Sequence, residues 1–436
     1  EFVSGEEGKI ILALAEQEDF VYAPVDAMGE LIGDDNSLSK HIQAILEHPL
    51  VDFYAIKKVG FKVVIDAINS SGAFTVPALL KAIGVEDVVV LNAEMTGDFA
   101  HNPEPLKEHL TELCDTVVKE KAHLGIAVDP DVDRLCFVSE DGNLFGEEYT
   151  LVAVADYILQ YSKGATVSNL SSTRALRDVT EQHGCTYFAS AVGEVNVVTK
   201  MKAVNAVIGG EGNGGVIVPD FHYGRDALIG IGLFLTLFAK RNLTMSALRA
   251  TYPDFHISKN KIDLRPGLDL RSILTKLQVK YAGQPMLTED GLRIEFGDDW
   301  VHLRGSNTEP IIRIYAESRS AEAARQLRAP RGDHQAPGRR NHGRRPQRRP
   351  ADHRRLDQRH VRLLPLRRAC AQLRGGQSGR HRALRQAAPR HARARRLPGT
   401  QRLRGGLHLP GPLRRRHRRH RGGRPRVHCR RLNLGT

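Results

Sequence analysis

The composition of the chain changes sharply at residue 329, and this change limits where a folded core can form. Residues 329–436 contain 33 arginines and no Lys, Glu, Ile, Met, Phe, Tyr or Trp. Such a segment cannot bury enough apolar surface to offset the entropy lost on ordering it. We therefore predict that residues 329–436 are disordered and that residues 1–328 carry the fold.

Two interpretations of this Arg-rich tail stay open. A basic arm can bind RNA or DNA through the phosphates, although this one has no aromatic side chain to stack on bases. A reading frame shifted through GC-rich coding DNA yields the same residue mixture, and we favour that interpretation. The tail also explains the net charge of +14, because residues 1–328 hold 31 basic against 47 acidic side chains. Nucleic acid is therefore not the expected partner.

Residues 62–253 alternate short apolar segments with amphipathic ones, which predicts strands alternating with helices. The same unit occurs twice, and in each unit a polar loop follows the third strand. This order predicts an α/β fold with two repeated mixed-sheet domains and helices on both faces of each sheet. Ligands bind at the carboxyl ends of strands in such sheets. The pattern of residues 255–327 instead predicts a small C-terminal α+β domain.

The remaining composition predicts a soluble cytoplasmic protein with no membrane partner. Five cysteines without paired spacing point to a reducing compartment. We expect no signal peptide, because no charged start precedes an apolar core and a cleavage site. The most apolar stretch, Ala227–Ala239, is too short to cross a bilayer and predicts a buried helix.

The segment AVDPDVDRLCF (127–137) places three aspartates at alternate positions, followed at once by Arg134. In an extended segment alternate residues point to the same side, so Asp129, Asp131 and Asp133 can converge. Carboxylate oxygens without Cys or His suit Mg²⁺ rather than Zn²⁺. An arginine beside such a cation can hold a phosphoryl oxygen. We therefore predict a metal- and phosphate-binding loop.

Two other interpretations of this acidic segment carry less weight. An EF-hand calcium loop would use the three aspartates and Glu140, but its sixth position needs glycine and here holds Arg134. The following LCFV also predicts a strand where that loop should continue. A solvated acidic turn is the remaining alternative.

The glycine-rich segment GGEGNGG (209–215) is the polar loop of the second repeat. Glycines let a backbone approach a ligand closely, while Glu211 and Asn213 offer a carboxylate and an amide that suit sugar hydroxyls. Alone the pattern is weak, because Gly-rich turns between strands are common. His222 and Arg225 follow in HYGRDA and are candidates for the same opening, although a lone histidine is more often structural.

The segment RGSNTEPIIR (304–313) lies between two strands of the predicted C-terminal domain. It supplies guanidinium, hydroxyl, amide and backbone donors, and arginine gives bidentate contacts to phosphate. A hydroxyl-rich turn with surface arginines is the structural alternative. We favour a phosphate-binding site made by Arg304, Ser306, Asn307, Thr308 and Arg313.

These three segments occur in this order in the α-D-phosphohexomutase family, which residues 1–327 resemble. DPDVDR (129–134) resembles the family's metal loop, GEGNGG (210–215) its sugar loop and RGSNTEP (304–310) its phosphate loop. The resemblance implies a four-domain isomerase with a central cleft. Such an enzyme moves phosphate between the 1- and 6-positions of a hexose through a phosphoserine, with Mg²⁺ and a hexose 1,6-bisphosphate intermediate that also serves as activator.

The resemblance also implies a role for each candidate residue. Asp129, Asp131 and Asp133 would bind Mg²⁺, and Arg134 would contact the phosphoserine as the catalytic residue of this chain. The phosphate that is not transferred would be held by the residues of the 304–313 segment. Sugar contacts would come from Gly193 in the turn AVGEV, and from Glu211, Asn213, His222 and Arg225.

Two departures from the family pattern affect these expectations. Many members have Ser and His in the sugar loop where this chain has Asn213 and Gly215. The family's nucleophilic serine lies in a T-A-S-H-N-P-like loop of the first domain, and the 436 residues contain no such loop. FAHNP (99–103) has Ala100 at the serine position, and we interpret it as a linker turn. We therefore expect no mutase turnover from this chain alone.

The resemblance divides the chain into five segments. Residues 1–58 are expected to be a remnant of the first domain, which the second domain (59–162, metal loop) follows. The third domain (163–253, sugar loop), the fourth (254–328, phosphate loop) and the tail (329–436) complete the chain. The GEGNGG form favours glucosamine phosphate as substrate. A phosphomannomutase or phosphoglucomutase is the alternative, as is a non-catalytic paralogue that binds sugar phosphates.

Overall fold

Two four-stranded sheets with the same strand order account for the repeated strand–helix pattern. The computed structural model describes residues 3–326, apart from residues 4, 19, 21, 30, 31, 34, 265–268 and 307–309. Its strands are β1 (Lys62–Asp66), β2 (Asp87–Leu91), β3 (Leu124–Val128), β4 (Leu135–Ser139), β5 (Ala165–Asn169), β6 (Tyr187–Ser190), β7 (Ala206–Glu211), β8 (Gly215–Ile217), β9 (His256–Asp263), β10 (Met286–Leu287), β11 (Leu292–Phe296), β12 (Asp299–Gly305) and β13 (Ile311–Ser318). Its α-helices are α1 (Gly5–Gln17), α2 (Ser37–Glu47), α3 (Phe53–Val59), α4 (Gly72–Ala82), α5 (Thr111–Lys119), α6 (Glu147–Tyr161), α7 (Ala175–Gln182), α8 (Glu194–Val204), α9 (Ala227–Arg241), α10 (Met245–Arg249), α11 (Leu270–Lys280) and α12 (Ala321–Gln326). The tail predicted to be disordered lies outside the described residues.

Each of the two sheets combines three parallel strands with one antiparallel strand. Their orders are β2-β1-β3-β4 and β6-β5-β7-β8. In both, the last strand returns antiparallel from the third. The predicted mixed, largely parallel α/β architecture is therefore confirmed. Because each third strand continues into a hairpin, both predicted polar loops are hairpin loops at the carboxyl end of a central strand.

One apolar core packs the inner faces of both sheets against shared helices. Helix α9 contributes nine buried residues to it and α6 contributes eight. The rings of Phe137 on β4 and Phe234 on α9 stack with centroids 3.9 Å apart. The prediction of a buried helix from Ala227 is confirmed. Among the described residues, no helix has both the length and the apolarity needed to cross a bilayer.

The C-terminal part forms a five-stranded antiparallel sheet in the order β10-β11-β12-β13-β9. One face packs with α11 around a separate apolar core. Along β12 the side chains of Trp300, His302 and Arg304 alternate with the core residues and form the opposite, polar face. The predicted small α+β domain is confirmed.

Polar contacts join this second face to the loop that follows β5. The guanidinium of Arg293 donates a 2.7 Å hydrogen bond from Nη1 to the carbonyl oxygen of Leu170. Ser171 Oγ lies 2.9 Å from Nδ1 of His302, whose Nε2 lies 2.6 Å from the carbonyl oxygen of Asp290. Burial lowers the pKa of His302 to about 4, so its neutral ring donates from Nε2 and accepts the serine hydroxyl at Nδ1.

Candidate functional site

One cavity of about 410 Å³ is lined by residues from all three segments singled out in the sequence. The metal loop contributes Arg134 and the sugar loop contributes Glu211 and Asn213. Arg304 and Arg313, from neighbouring strands of the C-terminal sheet, line the same cavity. Loops that are far apart in sequence thus meet in one place, at the carboxyl ends of the two α/β sheets.

The metal loop is the tip of the β3–β4 hairpin. Its three aspartates converge, with one carboxylate oxygen of each within 4.8 Å of the others. They do so through a tight turn rather than through the extended alternation that the sequence suggested: Val132 has a φ of 60°, and its N–H donates a 3.1 Å bond to the carbonyl oxygen of Asp129. Asp129 Oδ1 accepts the backbone N–H groups of Asp133 and Arg134 at 3.1 and 3.0 Å. The continuation as β4 excludes an EF-hand loop.

The charge distribution of this loop fits a divalent cation. Burial and the neighbouring carboxylates, Asp133 first, raise the pKa of Asp129 to about 7, although Nε of Arg134 lies 3.3 Å from Asp129 and 3.7 Å from Asp133. Oδ1 of Asp133 is buried and makes no hydrogen bond to the described residues. The only ligand atoms are hard oxygens, which suits Mg²⁺. Asp129, Asp131 and Asp133 are thus a chemically suitable set for that ion.

The sugar loop is the tip of the β7–β8 hairpin, and it touches the metal loop through the backbone. The N–H of Leu135, the first residue of β4, donates a 3.1 Å bond to the carbonyl oxygen of Gly214. The backbones of Arg134 and Gly215 also pair in antiparallel fashion. Gly214 has a φ of 90°, and a Cβ there would overlap the carbonyl oxygen of Leu135. Glycine is therefore required at position 214 both by its backbone angle and by this close approach.

The carboxylate of Glu211 accepts hydrogen bonds from several residues of the protein, more than a sugar contact alone would require. Its Oε1 accepts hydrogen bonds from Asn169 Nδ2 at 2.9 Å and from the N–H of Gly193 at 3.1 Å. Its Oε2 accepts a 2.8 Å bond from Arg225 Nη1. Gly193 therefore faces Glu211 with its backbone. Asn213 Oδ1 accepts the N–H of Gly215 at 3.2 Å, which directs the side chain along the loop.

Arg225 joins three loops rather than projecting freely into the cavity. Its guanidinium forms ion pairs with Asp133 of the metal loop, with Glu211 of the sugar loop at 2.8 Å and with Glu194 at 3.1 Å. Its side chain is only 14% exposed. A Cβ at position 215 would overlap Cδ of Arg225, so the glycine at 215 makes room for this arginine. These ion pairs indicate that Arg225 holds the loops in position, whereas the sequence suggested that it contacts the substrate.

Of the predicted site residues that the structure describes, His222 lies in a different cluster. Its Nε2 lies 2.9 Å from Oδ2 of Asp226, and Nε2 of His41 lies 2.8 Å from the same oxygen. This His–His–Asp set resembles a metal site by composition. However, Nδ1 of His222 accepts the N–H of Gly224 at 3.0 Å, so the proton of the neutral ring is on Nε2. The observed hydrogen bonds therefore favour donation to Asp226 over coordination of a cation.

The His41–Asp226 contact predicts a pH-dependent contribution to stability. The hydrogen bond to Asp226 raises the pKa of His41 above 6.5, against the effect of burial, and no other acidic side chain is paired with it among the described residues. Stabilisation is full below the unfolded-state pKa of about 6.5 and is lost as pH rises through the raised folded-state pKa. The difference in unfolding free energy between wild type and His41→Gln should therefore shrink by roughly 1 kcal/mol from acid to alkaline pH. Urea midpoints measured across this range test it, with His123→Gln, at an exposed histidine, as control; a constant difference would contradict it.

The phosphate segment is described at its two ends. Arg304 Nε is buried and has no hydrogen-bond partner among the described residues, so it can donate to a ligand. Ser306 donates its N–H to the carbonyl oxygen of Ile311 at 3.0 Å. The other two candidates, Asn307 and Thr308, lie outside the described residues.

Several cavity residues gave no clear signal in the sequence. Glu148 and Lys259 line the 410 Å³ cavity and also a larger one of about 710 Å³. The larger cavity contains none of the predicted site residues, so its size does not mark the site. Burial raises the pKa of Glu148 to about 8, and Lys259 Nζ lies 3.9 Å from its Oε1. Asn169, at the end of β5, also lines the smaller cavity and follows the rule that polar groups gather at strand ends.

The segment FAHNP was interpreted as a linker turn, and it does connect β2 to α5. The structure adds that Asn102 and Pro103 line the cavity. Nε2 of His101 lies 2.9 Å from the buried Oδ2 of Asp66, at the carboxyl end of β1. This contact holds the segment beside the site, which the interpretation as a linker did not anticipate.

Comparison with known families places these three parts in one family. Residues 39–142 match the model of the phosphoglucomutase/phosphomannomutase alpha/beta/alpha domain II, residues 146–255 match domain III, and residues 263–330 match the C-terminal domain.

Relatives and solved structures agree with this match. A phosphoglucomutase/phosphomannomutase of Thermococcus kodakarensis is 36% identical over 73% of this chain and 69% of its own length. A probable phosphoglucosamine mutase of Methanopyrus kandleri is 34% identical over 71% of this chain and 68% of its length. The crystal structure of a family protein from Burkholderia thailandensis superposes with a TM-score of 0.64 at 25% identity, covering 74% of this chain and 68% of that one. The chain therefore belongs to the phosphoglucomutase/phosphomannomutase family of α-D-phosphohexomutases, which are isomerases.

Proposed function

We propose that this chain forms the metal-, sugar- and phosphate-binding part of a phosphohexomutase that interconverts hexose 1-phosphate and hexose 6-phosphate. The observation that carries the proposal is the single cavity lined by Arg134, Glu211, Asn213, Arg304 and Arg313. A phosphorylated hexose has a phosphate at one end and hydroxyls along its ring. The cavity lining includes the guanidinium groups of Arg304 and Arg313, the Asn213 amide and the Glu211 carboxylate, and the metal loop reaches it through Arg134.

In this proposal each loop has a separate task. Arg304 and Arg313 hold the phosphate that stays on the sugar, since guanidinium groups bind phosphate oxygens with charge-assisted hydrogen bonds. Glu211 and Asn213 orient the ring hydroxyls. Asp129, Asp131 and Asp133 hold Mg²⁺, which when bound neutralises charge on the oxygens of the transferring phosphoryl group.

Arg134 contacts the phosphoryl group of a phosphoserine. In transfer, the P–O bond to serine breaks, a P–O bond to the sugar hydroxyl forms, and the proton of that hydroxyl ends on the serine oxygen. The resulting hexose 1,6-bisphosphate turns around and returns its other phosphate to the serine. Positioning and charge stabilisation account for most of such a reaction, which is consistent with a site made largely of charged and amide groups.

The substrate proposed first is glucosamine phosphate. The GEGNGG form of the sugar loop supports it, and the relatives named above include a probable phosphoglucosamine mutase. Mannose or glucose phosphate is the second choice, because the Thermococcus relative is named a phosphoglucomutase/phosphomannomutase. A non-catalytic sugar-phosphate-binding paralogue is the third, and the cation-compatible aspartate set of the metal loop argues against it.

The chain contains no T-A-S-H-N-P-like segment, so we expect it to bind hexose phosphate without converting it. Isothermal titration calorimetry should show glucosamine 6-phosphate binding, with Arg304→Gln weakening it at least tenfold, the loss expected for a charged hydrogen-bonding partner. Mg²⁺ binding should be lost in Asp131→Asn. No turnover of glucosamine 1-phosphate is expected with Mg²⁺ and a hexose bisphosphate. Measurable turnover would refute the inactivity, and absence of sugar-phosphate binding would refute the function.

A further inference from the structure

The polar face of the C-terminal sheet carries a row of three positive charges on neighbouring strands. Arg304 on β12 pairs across the sheet with Arg313 on β13, and Arg313 pairs with Lys261 on β9. Residues paired in this way have their side chains on the same face, with Cβ atoms about 4.5–5.5 Å apart. The row therefore extends one strand beyond the two arginines found in the sequence.

The position of the row places Lys261 next to the phosphate loop. β12 and β13 are connected by that loop, and Ile311 at its end pairs with Asp263, the last residue of β9. The N–H of Leu264 also donates a 2.8 Å bond to the carbonyl oxygen of Pro310. The end of β9 is thus bonded to the same loop end that precedes Arg313.

The two lysines on β9, Lys259 and Lys261, differ in their ion-pair partners. Lys259 faces Glu147 and Glu148, with its Nζ 3.1 Å from Glu147 Oε1, and these carboxylates raise its pKa although burial opposes this. Lys261 is exposed and has no hydrogen bond or ion pair to any residue that the structure describes. The ammonium group of Lys261 is therefore available to a ligand, whereas the ammonium group of Lys259 already faces two carboxylates.

Lys261 adds a third positive charge beside Arg304 and Arg313 on this face of the sheet. A phosphomonoester dianion has oxygens for more than one such cation, and charge-assisted hydrogen bonds to it are stronger than those between neutral groups. The row therefore fits a phosphate group.

We propose that Lys261 is a third phosphate-binding residue, which contacts the non-transferred phosphate of the substrate together with Arg304 and Arg313. The inference rests on the proposed function, since it assigns a further residue to the same phosphate site. The ligand class is a phosphomonoester dianion, and inorganic phosphate is its simplest probe.

The test compares Lys261→Gln with Lys276→Gln, an exposed lysine on α11 that packs on the other face of the sheet. Titration calorimetry with inorganic phosphate and with glucosamine 6-phosphate should give about three- to fivefold weaker binding for Lys261→Gln at low salt. The difference should shrink at high salt, and Lys276→Gln should bind like wild type.

The outcomes separate the two proposals. Unchanged phosphate affinity in Lys261→Gln, or an equal loss in Lys276→Gln, would overturn the inference. If Arg304→Gln weakens binding while Lys261→Gln does not, the phosphate site stands and only the role of Lys261 fails. If neither variant changes the affinity, the phosphate site itself is wrong.

Discussion

Replacing Arg225 by glutamine is expected to lower the free energy of unfolding by about 3 kcal/mol or more. The variant leaves Asp133, Glu194 and Glu211 without their shared cation at a place where the arginine side chain is only 14% exposed. Carboxylates that lose their partner in such a site repel each other and are poorly solvated. Urea unfolding monitored by circular dichroism measures the effect.

Arg319→Gln is the matched control. Arg319 also faces two carboxylates, Asp298 at 2.9 Å and Asp178 at 4.0 Å, but its side chain is 50% exposed. Exposed ion pairs contribute about 0–1 kcal/mol, so this variant should unfold close to wild type. Equal losses in both variants would show that Arg225 does not hold the loops together.

Gly214→Ala should have the second large effect, with a loss of about 2–4 kcal/mol in unfolding free energy. Alanine at a φ of 90° is strained, and its Cβ would overlap the carbonyl oxygen of Leu135. The substitution should also break the hydrogen bond between Leu135 N–H and Gly214. Because that bond joins the metal loop to the sugar loop, glucosamine 6-phosphate binding should weaken as well, which calorimetry can follow.

Gly60→Ala is the control that separates the cost of a positive φ from the cost of the steric overlap with Leu135. Gly60 ends α3 with a φ of 65°, and a Cβ there would meet nothing within 4 Å. This variant should lose only about 1 kcal/mol and keep wild-type ligand affinity. If both alanine variants behave alike, the close approach of the two loops contributes nothing.

The sequence predicted the features that depend on local pattern and on strand order. The alternation of strands and helices predicted the two repeated sheets, and polar residues after each third strand predicted where the loops meet. The convergence of Asp129 and Asp133 was also predicted, but from an extended segment. The actual cause is a hairpin turn with Val132 at positive φ, which is uncommon for a β-branched residue and so could not be expected from residue type.

The sequence could not predict which polar groups would be taken up by partners from distant segments. Arg225 and His222 are close in sequence and both looked like ligand contacts. One is bound by Asp133, Glu194 and Glu211, and the other by Asp226. These partners come from loops brought together only by sheet packing, which no local pattern encodes. The register that aligns Lys261 with Arg313 is likewise a property of strand pairing.

The separation of the apolar cores affects how the protein loses its structure. The two α/β sheets share one core through α6 and α9. Unfolding of one sheet would therefore expose apolar residues of the other to water. The C-terminal sheet has its own core and meets its neighbour through hydrogen bonds such as Arg293 to Leu170. We therefore expect the three family domains to unfold as two cooperative units. The residues proposed to bind phosphate belong to the C-terminal unit, which we expect to open locally while the metal and sugar loops stay folded.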